Sequence, residues 1–449
     1  MDDKNNNYQL SFFGALTMAT GFTIGSGIIT QTGIGIGMTG RSIFLAFLAS
    51  AVLFLISFRP LFIMSSVLPK TSAAYFYSKN LIGDSVRGLY TYVYFLGRIT
   101  IAIFGISFAQ YLSSLIPALS SPIIQRIIAC LILTLFFIIN LCGMKTASKF
   151  QNIMFFILLS GLFCFIISGL PKVSPDFLTA EILFSGGFGG FYSAVSLLFF
   201  AVGGAYIMTD FAPSVKDSSR VVIKIIYIVT LGVCAIYMLL GIVASGVVPS
   251  AEAAYMPLTV AANAVFSNKA LFSFFIVGAC IGALLTTLNS SFVWYSNSLI
   301  NACNEGWLPA KWGKKNKNGV PVALMTIFYL FGLVPTILGI DLTLLSKSAI
   351  GLTILAICIP MLGVINLPKK YPQQWQASKY SKRYPKWRLI CMCIFTYLVM
   401  GTQVAALFAG NPPMANVVII ACLVLIISYI LIRKRVRQNK SLSAYKAGK

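Results

Sequence analysis

The chain runs to 449 residues, of which 58% are hydrophobic and only 10% charged, well under half the charged share of an ordinary soluble domain. That is enough apolar sequence for about twelve membrane helices of about 20 residues each, and it excludes an ordinary soluble protein. The 34 Lys and Arg against 10 Asp and Glu give a net charge of +24, and no His is present, which removes imidazole metal ligands, His general bases and His proton relays.

A polar segment, Met1 to Gln9, leads directly into an apolar run too long for the core of a cleaved signal. Apolar runs bounded by charges, Pro and polar clusters then predict twelve spans, at about 11–37, 42–67, 88–116, 122–143, 150–170, 188–212, 221–246, 271–301, 321–339, 343–366, 388–409 and 413–432. With the amino terminus inside, 27 basic residues fall on inner segments and four (Arg41, Arg126, Lys172, Lys269) on outer ones. This asymmetry places both termini in the cytoplasm. It also accounts for most of the positive charge without a nucleic acid partner. The run Arg433, Lys434, Arg435, Arg437 fits either a solvated stop-transfer flank or contact with anionic lipid.

Span one is not a continuous helix in this reading. Gly21, Gly25, Ser26, Gly27, Gly33, Gly35 and Gly37 crowd it, and helix propensity is poor around Gly25 to Gly27. Span six has a similar weak point at Phe200-Ala201-Val202-Gly203-Gly204. Five spans separate the two, so an interrupted helix begins each of two five-span halves, the pattern of an inverted-repeat transporter with its site at the bilayer midplane. An unwound turn leaves backbone groups unpaired, which hydrocarbon tolerates only where they line a cavity or bind something. Amides at the start of a half-helix, around Ser26 and Gly27, suit a carboxylate. Carbonyls near Thr23, Phe200 and Ala201 suit an ammonium. For Gly33, Gly35 and Gly37, close helix packing is the preferred reading.

Three bases enter apolar runs: Arg59 beside Pro60, Arg98 in span three and Lys347 in span ten. Each costs several kcal/mol unless paired, wet or snorkelling. Arg59 is expected to snorkel or pair, Lys347 to lie near the outer surface, and Arg98 to snorkel inward or to serve function. Span eight concentrates Thr286, Thr287, Asn289, Ser290 and Ser291, whose hydroxyls can either satisfy carbonyls of their own helix or ligate a cation. Asp210, at the inner end of span six, is the best candidate carboxylate for ion coupling, against a solvated helix end near Lys216. The ten cysteines lie mostly inside apolar runs and are expected to be small packing residues without disulfides or a metal site.

Four stretches together resemble the amino acid, polyamine and organocation superfamily of secondary transporters, in its bacterial amino acid permease branch. They are Gly25-Ser26-Gly27-Ile28; Leu68-Pro69-Lys70-Thr71-Ser72-Ala73-Ala74-Tyr75-Phe76-Tyr77; Phe199 to Gly204 with Val215-Lys216-Asp217 and Arg220; and Asn304-Glu305-Gly306-Trp307-Leu308-Pro309 with Gly319-Val320-Pro321-Val322. The resemblance implies an all-α LeuT-like 5+5 inverted-repeat fold with twelve transmembrane helices, the last two outside the transport core. The implied organisation is an inner tail (1–10), a first repeat (11–170), an external loop (171–187), a second repeat (188–366), a basic inner loop (367–387), helices eleven and twelve (388–432) and a basic inner tail (433–449).

By the same resemblance, Ser26 and Gly27 would offer amides to the substrate carboxylate and the Thr23 and Phe200 carbonyls would take the amine; Gly25 and Ala201 complete the expected substrate-binding set. The Phe200 ring would act as a gate, and Gly203 and Ser291 would line the side-chain pocket. Possible coupling residues are Asp210, Arg98, Thr286 and Thr287. Two departures stand out: Tyr206 where the family often has Glu, and Leu158 where many relatives have Lys. The expected function is transport of an amino acid, neutral rather than cationic because no acid lies clearly at mid-membrane, by exchange, with proton- or sodium-coupled symport of an amino acid or a related amine as the alternative. A channel would need a polar lining, a receptor a larger extramembrane domain, and a membrane enzyme catalytic groups that the spans lack. No cofactor is implied. The partners are a small amino acid and the bilayer of the cell's inner (plasma) membrane, with homo-oligomerisation left open.

Overall fold

The computed structural model describes residues 11–142, 145–179, 183–215 and 218–447. Of these, Ser26, Ser214, Val293, Asn297 and residues 145–155, 218–219 and 435–447 are described by their backbone alone. The tail 1–10, Glu181, Lys216 and Asp217 lie outside the described residues. Each of the twelve predicted runs contains an α-helix, and among the described residues there is no strand. Among the described residues, nine helical stretches are long and apolar enough to cross a membrane, and Phe12–Thr23, Phe156–Lys172 and Val322–Leu338 are shorter apolar helices.

The helices used below are α1 (Phe12–Thr23), α2 (Ser26–Thr39), α3 (Ile43–Ser57), α4 (Arg59–Val67), α5 (Ala73–Tyr77), α6 (Asp84–Leu96), α7 (Thr100–Leu115), α8 (Pro122–Leu141), α9 (Lys145–Gly169), α10 (Gly187–Gly203), α11 (Ser218–Gly246), α12 (Gly282–Ser298), α13 (Val322–Leu338), α14 (Leu342–Met361), α15 (Lys386–Ala409) and α16 (Pro413–Ala447). Their ends follow local chemistry. The Ser11 hydroxyl caps α1 by accepting from the Gly14 amide at 3.1 Å, and the Asp341 carboxylate caps α14 by accepting from the Leu344 amide at 2.9 Å. Pro122 opens α8, where its missing N–H costs nothing. Gly339, with φ of 66°, closes α13.

Several runs are jointed where a single helix was expected. The second divides at Phe58, with Pro60 in the first turn of α4. The third divides at a 3₁₀ turn, Gly97–Ile99, between α6 and α7. The eighth carries a π-helical stretch, Phe275–Ile281, before α12. Such local departures from α geometry often mark functional segments.

α10 packs along α2 and α3, and α11 lies against α3 and α1. An aromatic knot holds the first of these contacts, with the Phe54 ring 4.3 Å from Phe58 and 5.6 Å from Phe199. A second group joins α7 to α8, α12 and α13, and α14 rests against α6 and α15. Large apolar side chains on α8 (Ile123, Leu131), α15 (Ile394, Leu398) and α16 (Val417, Leu425) remain exposed, which suits lipid rather than water. At one end of the bundle, Glu305 gathers Arg87, the Lys79 ammonium at 3.0 Å and the Tyr75 hydroxyl at 3.0 Å, while Arg87 also pairs with Asp84. At the other end, Arg41 meets the Asp176 carboxylate at 3.3 Å.

Candidate functional site

The first helical run breaks where its glycines predict. α1 ends at Thr23, Ile24 is extended (φ −81°, ψ 92°), Gly25 is extended too, and α2 starts at Ser26. The residue before α2 is Gly25, which has no side chain to cap it, and the positive end of the helix dipole points into this break. The sixth run behaves differently from the expectation. α10 continues through Phe200 and Ala201 to Gly203, then tightens into a 3₁₀ segment, Gly204–Thr209. The reason lies in the crossing. A Cβ on Gly204 would come 2.7 Å from Thr23 Cα, so only glycine allows the two discontinuities to touch, and the change of helix type falls there.

Between the two discontinuities lies a cavity of about 170 Å³. One wall is Thr23, Gly25, Gly27 and Gln31; another is Phe200, Ala201, Gly204 and Tyr206. α12 contributes Thr287, Ser290, Ser291, Trp294 and Tyr295, the joint between α6 and α7 contributes Arg98 and Thr100, and α14 contributes Thr353. Of the residues singled out in the sequence, Thr23, Gly25, Gly27, Phe200, Ala201, Ser291, Arg98 and Thr287 therefore meet at one cavity. Ser26 stands between two lining glycines, and its side chain is not described.

Three predicted residues stand elsewhere. Gly203 faces the Phe54 ring, not the cavity. The Thr286 hydroxyl is directed at the Gly282 and Ala283 carbonyls of its own helix, both at 3.0 Å, and the Thr287 hydroxyl likewise donates to the Ala283 carbonyl at 2.7 Å. Asp210 accepts from the Ala73 amide at 2.7 Å and so ties the end of the 3₁₀ segment to α5. The Thr23 carbonyl, expected to receive an ammonium, already accepts from the buried Tyr237 hydroxyl at 2.9 Å. Leu158 is buried in the apolar core.

Arg98 does not snorkel. It is 2% exposed, and its guanidinium carbon lies 4.1 Å from the Tyr94 ring centroid, 4.6 Å from that of Tyr295 and 5.7 Å from that of Trp294. Nε donates to the Tyr94 carbonyl at 3.1 Å, and Nη2 reaches the Thr353 hydroxyl at 3.4 Å. Aromatic faces continue around the cavity, with Phe200 edge-on to Tyr206 at 5.9 Å and Tyr206 at 6.4 Å from Trp294. Two buried polar atoms of lining residues, Gln31 Oε1 and Trp294 Nε1, have no hydrogen-bond partner among the described residues.

Gln31, Trp294, Tyr295 and Thr353 were not singled out in the sequence. A signal existed for two of them. Extending the helical spacing of Thr287 and Ser291 by one more turn reaches Trp294 and Tyr295 on the same face.

Comparison with known proteins agrees with this architecture. A model of the amino acid permease family matches residues 10–438, and the chain belongs to that family, within the amino acid, polyamine and organocation superfamily. The branched-chain amino acid permease BcaP of Bacillus subtilis is 22% identical over 401 residues, 84% of each chain. An uncharacterised protein of Methanocaldococcus jannaschii is 24% identical over 317 residues, 69% of this chain and 72% of the relative. The protein is accordingly a multi-pass membrane permease for amino acids.

Proposed function

We propose that the protein is a secondary active transporter that moves amino acids by alternating access, as an exchanger, with the cavity between α1/α2 and α10 as its substrate site. The observation that carries the reading is the uncapped amino terminus of α2 opening on a cavity that Phe200 also lines. The substrate carboxylate would sit at the amides of Gly25, Ser26 and Gly27, where the helix dipole is positive. The ammonium would face the carbonyls at the end of α10, near Phe200 and Ala201, where the α ladder gives way to 3₁₀ bonding. The Phe200 ring would close over it. Alternating access would follow from a 5+5 inverted repeat spanning 11–170 and 188–366, with both termini on the cytoplasmic side of the plasma membrane, a reading that the basic-residue asymmetry supports.

The test is counterflow in proteoliposomes holding the purified full-length protein, with labelled amino acids outside and sodium and proton gradients varied separately. Saturable uptake that requires unlabelled amino acid inside supports exchange. Uptake into empty vesicles driven by sodium would replace exchange by symport, and non-saturable flux would indicate a channel.

A further inference from the structure

We infer that the cavity selects an amino acid carrying a second negative charge on its side chain, and that Arg98 is the group that recognises it; this rests on the transport reading above. Among the described residues no carboxylate lies within ion-pair distance of Arg98, although the side chain is 2% exposed and borders the cavity. Its two hydrogen bonds, to the Tyr94 carbonyl and at 3.4 Å to Thr353, leave most of its five donors unused. The rings of Tyr94, Tyr295 and Trp294 stabilise a cation, but each does so only partially, and a buried charge without a counter-ion is costly.

A second observation points the same way. Trp294 stands against the guanidinium, lines the same cavity and has a buried Nε1–H with no acceptor among the described residues. A forked guanidinium bordering the cavity suits an anionic group, the unpartnered indole N–H is a second donor in the same wall, and the low exposure of the site strengthens such a pairing. The start of α2, with no capping side chain, lines the same cavity and suits the substrate's own carboxylate. An apolar side chain entering here would offer the guanidinium no acceptor, a neutral amide would accept without supplying a counter-charge, and a cationic side chain would be repelled. The scarcity of mid-membrane acids argues against cationic cargo only; it is equally compatible with neutral and acidic cargo, and Arg98 decides for the acidic one. A cavity of about 170 Å³, below the about 300 Å³ at which pockets for drug-sized ligands begin, admits a single amino acid.

The experiment uses proteoliposomes preloaded with a mixture of all twenty unlabelled amino acids and compares uptake of labelled glutamate, aspartate, glutamine, leucine and lysine, for the wild type, Arg98→Gln and Arg98→Lys. Wild-type uptake of glutamate or aspartate ahead of the neutral and cationic amino acids, with a glutamate-to-glutamine ratio that falls at least tenfold in Arg98→Gln and less in Arg98→Lys, supports the inference. Leucine or glutamine uptake that excess glutamate and aspartate fail to inhibit overturns it and leaves the transport reading standing. Equal losses for all substrates in Arg98→Gln also overturn it, because the arginine would then only hold the walls together. If Arg98→Gln does not yield monodisperse protein, the wild-type competition decides alone. If no amino acid is taken up either by exchange or under a sodium or proton gradient, the transport reading falls, and this inference with it.

Discussion

A Cβ built on Gly27 would lie 3.1 Å from both Cα and Cβ of Ala201, so the second residue of α2 and the end of α10 are already in close approach, and a leucine there would crowd the start of α2. Gly27→Leu is therefore expected to abolish counterflow while the purified protein stays monodisperse; a mutant with normal uptake would remove the proposed carboxylate site. Tyr237 supports the same break from behind. It is fully buried, and its hydroxyl donates to the Thr23 carbonyl. Tyr237→Phe removes the donor and leaves a buried carbonyl short of a partner, a loss of about 1–3 kcal/mol. The expected outcome is a lower melting temperature with the protein still folded. An unchanged melting temperature would mean that the Thr23 carbonyl is satisfied in another way.

At the scale of elements, Glu305 is the point where α6, α5 with the turn behind it, and the segment after α12 are held together. Arg87, nearly buried, depends on it, whereas Lys79 is largely exposed. Glu305→Gln is expected to lower the melting temperature clearly, by about 1–3 kcal/mol in stability. Lys79→Gln should change stability by less than about 1 kcal/mol, as exposed ion pairs do. Equal effects in a thermal melt would refute this ranking. The elements themselves were legible in the sequence because hydrocarbon forces every span to satisfy its own backbone, and the clustered glycines of the first run betray its break. The joints were less legible. Nothing local to Gly97-Arg98-Ile99 announces a 3₁₀ turn, since the turn is a response to packing, with α14 so close that a Cβ on Gly97 would stand 3.0 Å from the Thr353 hydroxyl. The position of the sixth-run joint depends on the same kind of contact, Gly204 against Thr23, made across the fold. Likewise Arg98 was visible as an intruder, but its aromatic surroundings bring together α6 and α12, some 200 residues apart along the chain.

For the whole molecule, the distribution of basic residues supports the proposal that both ends of the chain lie on the cytoplasmic side. A fluorescent protein fused after Lys449 should therefore mature and fluoresce in cells, and a periplasmic alkaline phosphatase fusion at the same place should stay inactive; the reverse pattern would invert the topology. One feature of the architecture also sets how the two halves of the molecule could shift. The segment Gly204–Thr209 has six residues in 3₁₀ form, which rises about 2.0 Å per residue where an α-helix rises about 1.5 Å. Rewinding it to α form would draw its ends about 3 Å closer and turn them by about 120° relative to each other. Tyr206 would swing with that rotation, and Asp210, tied to the Ala73 amide, would pull α5 along. The segment is thus a short screw thread between the cavity wall and the end of the bundle, able to convert a local change of winding into axial travel.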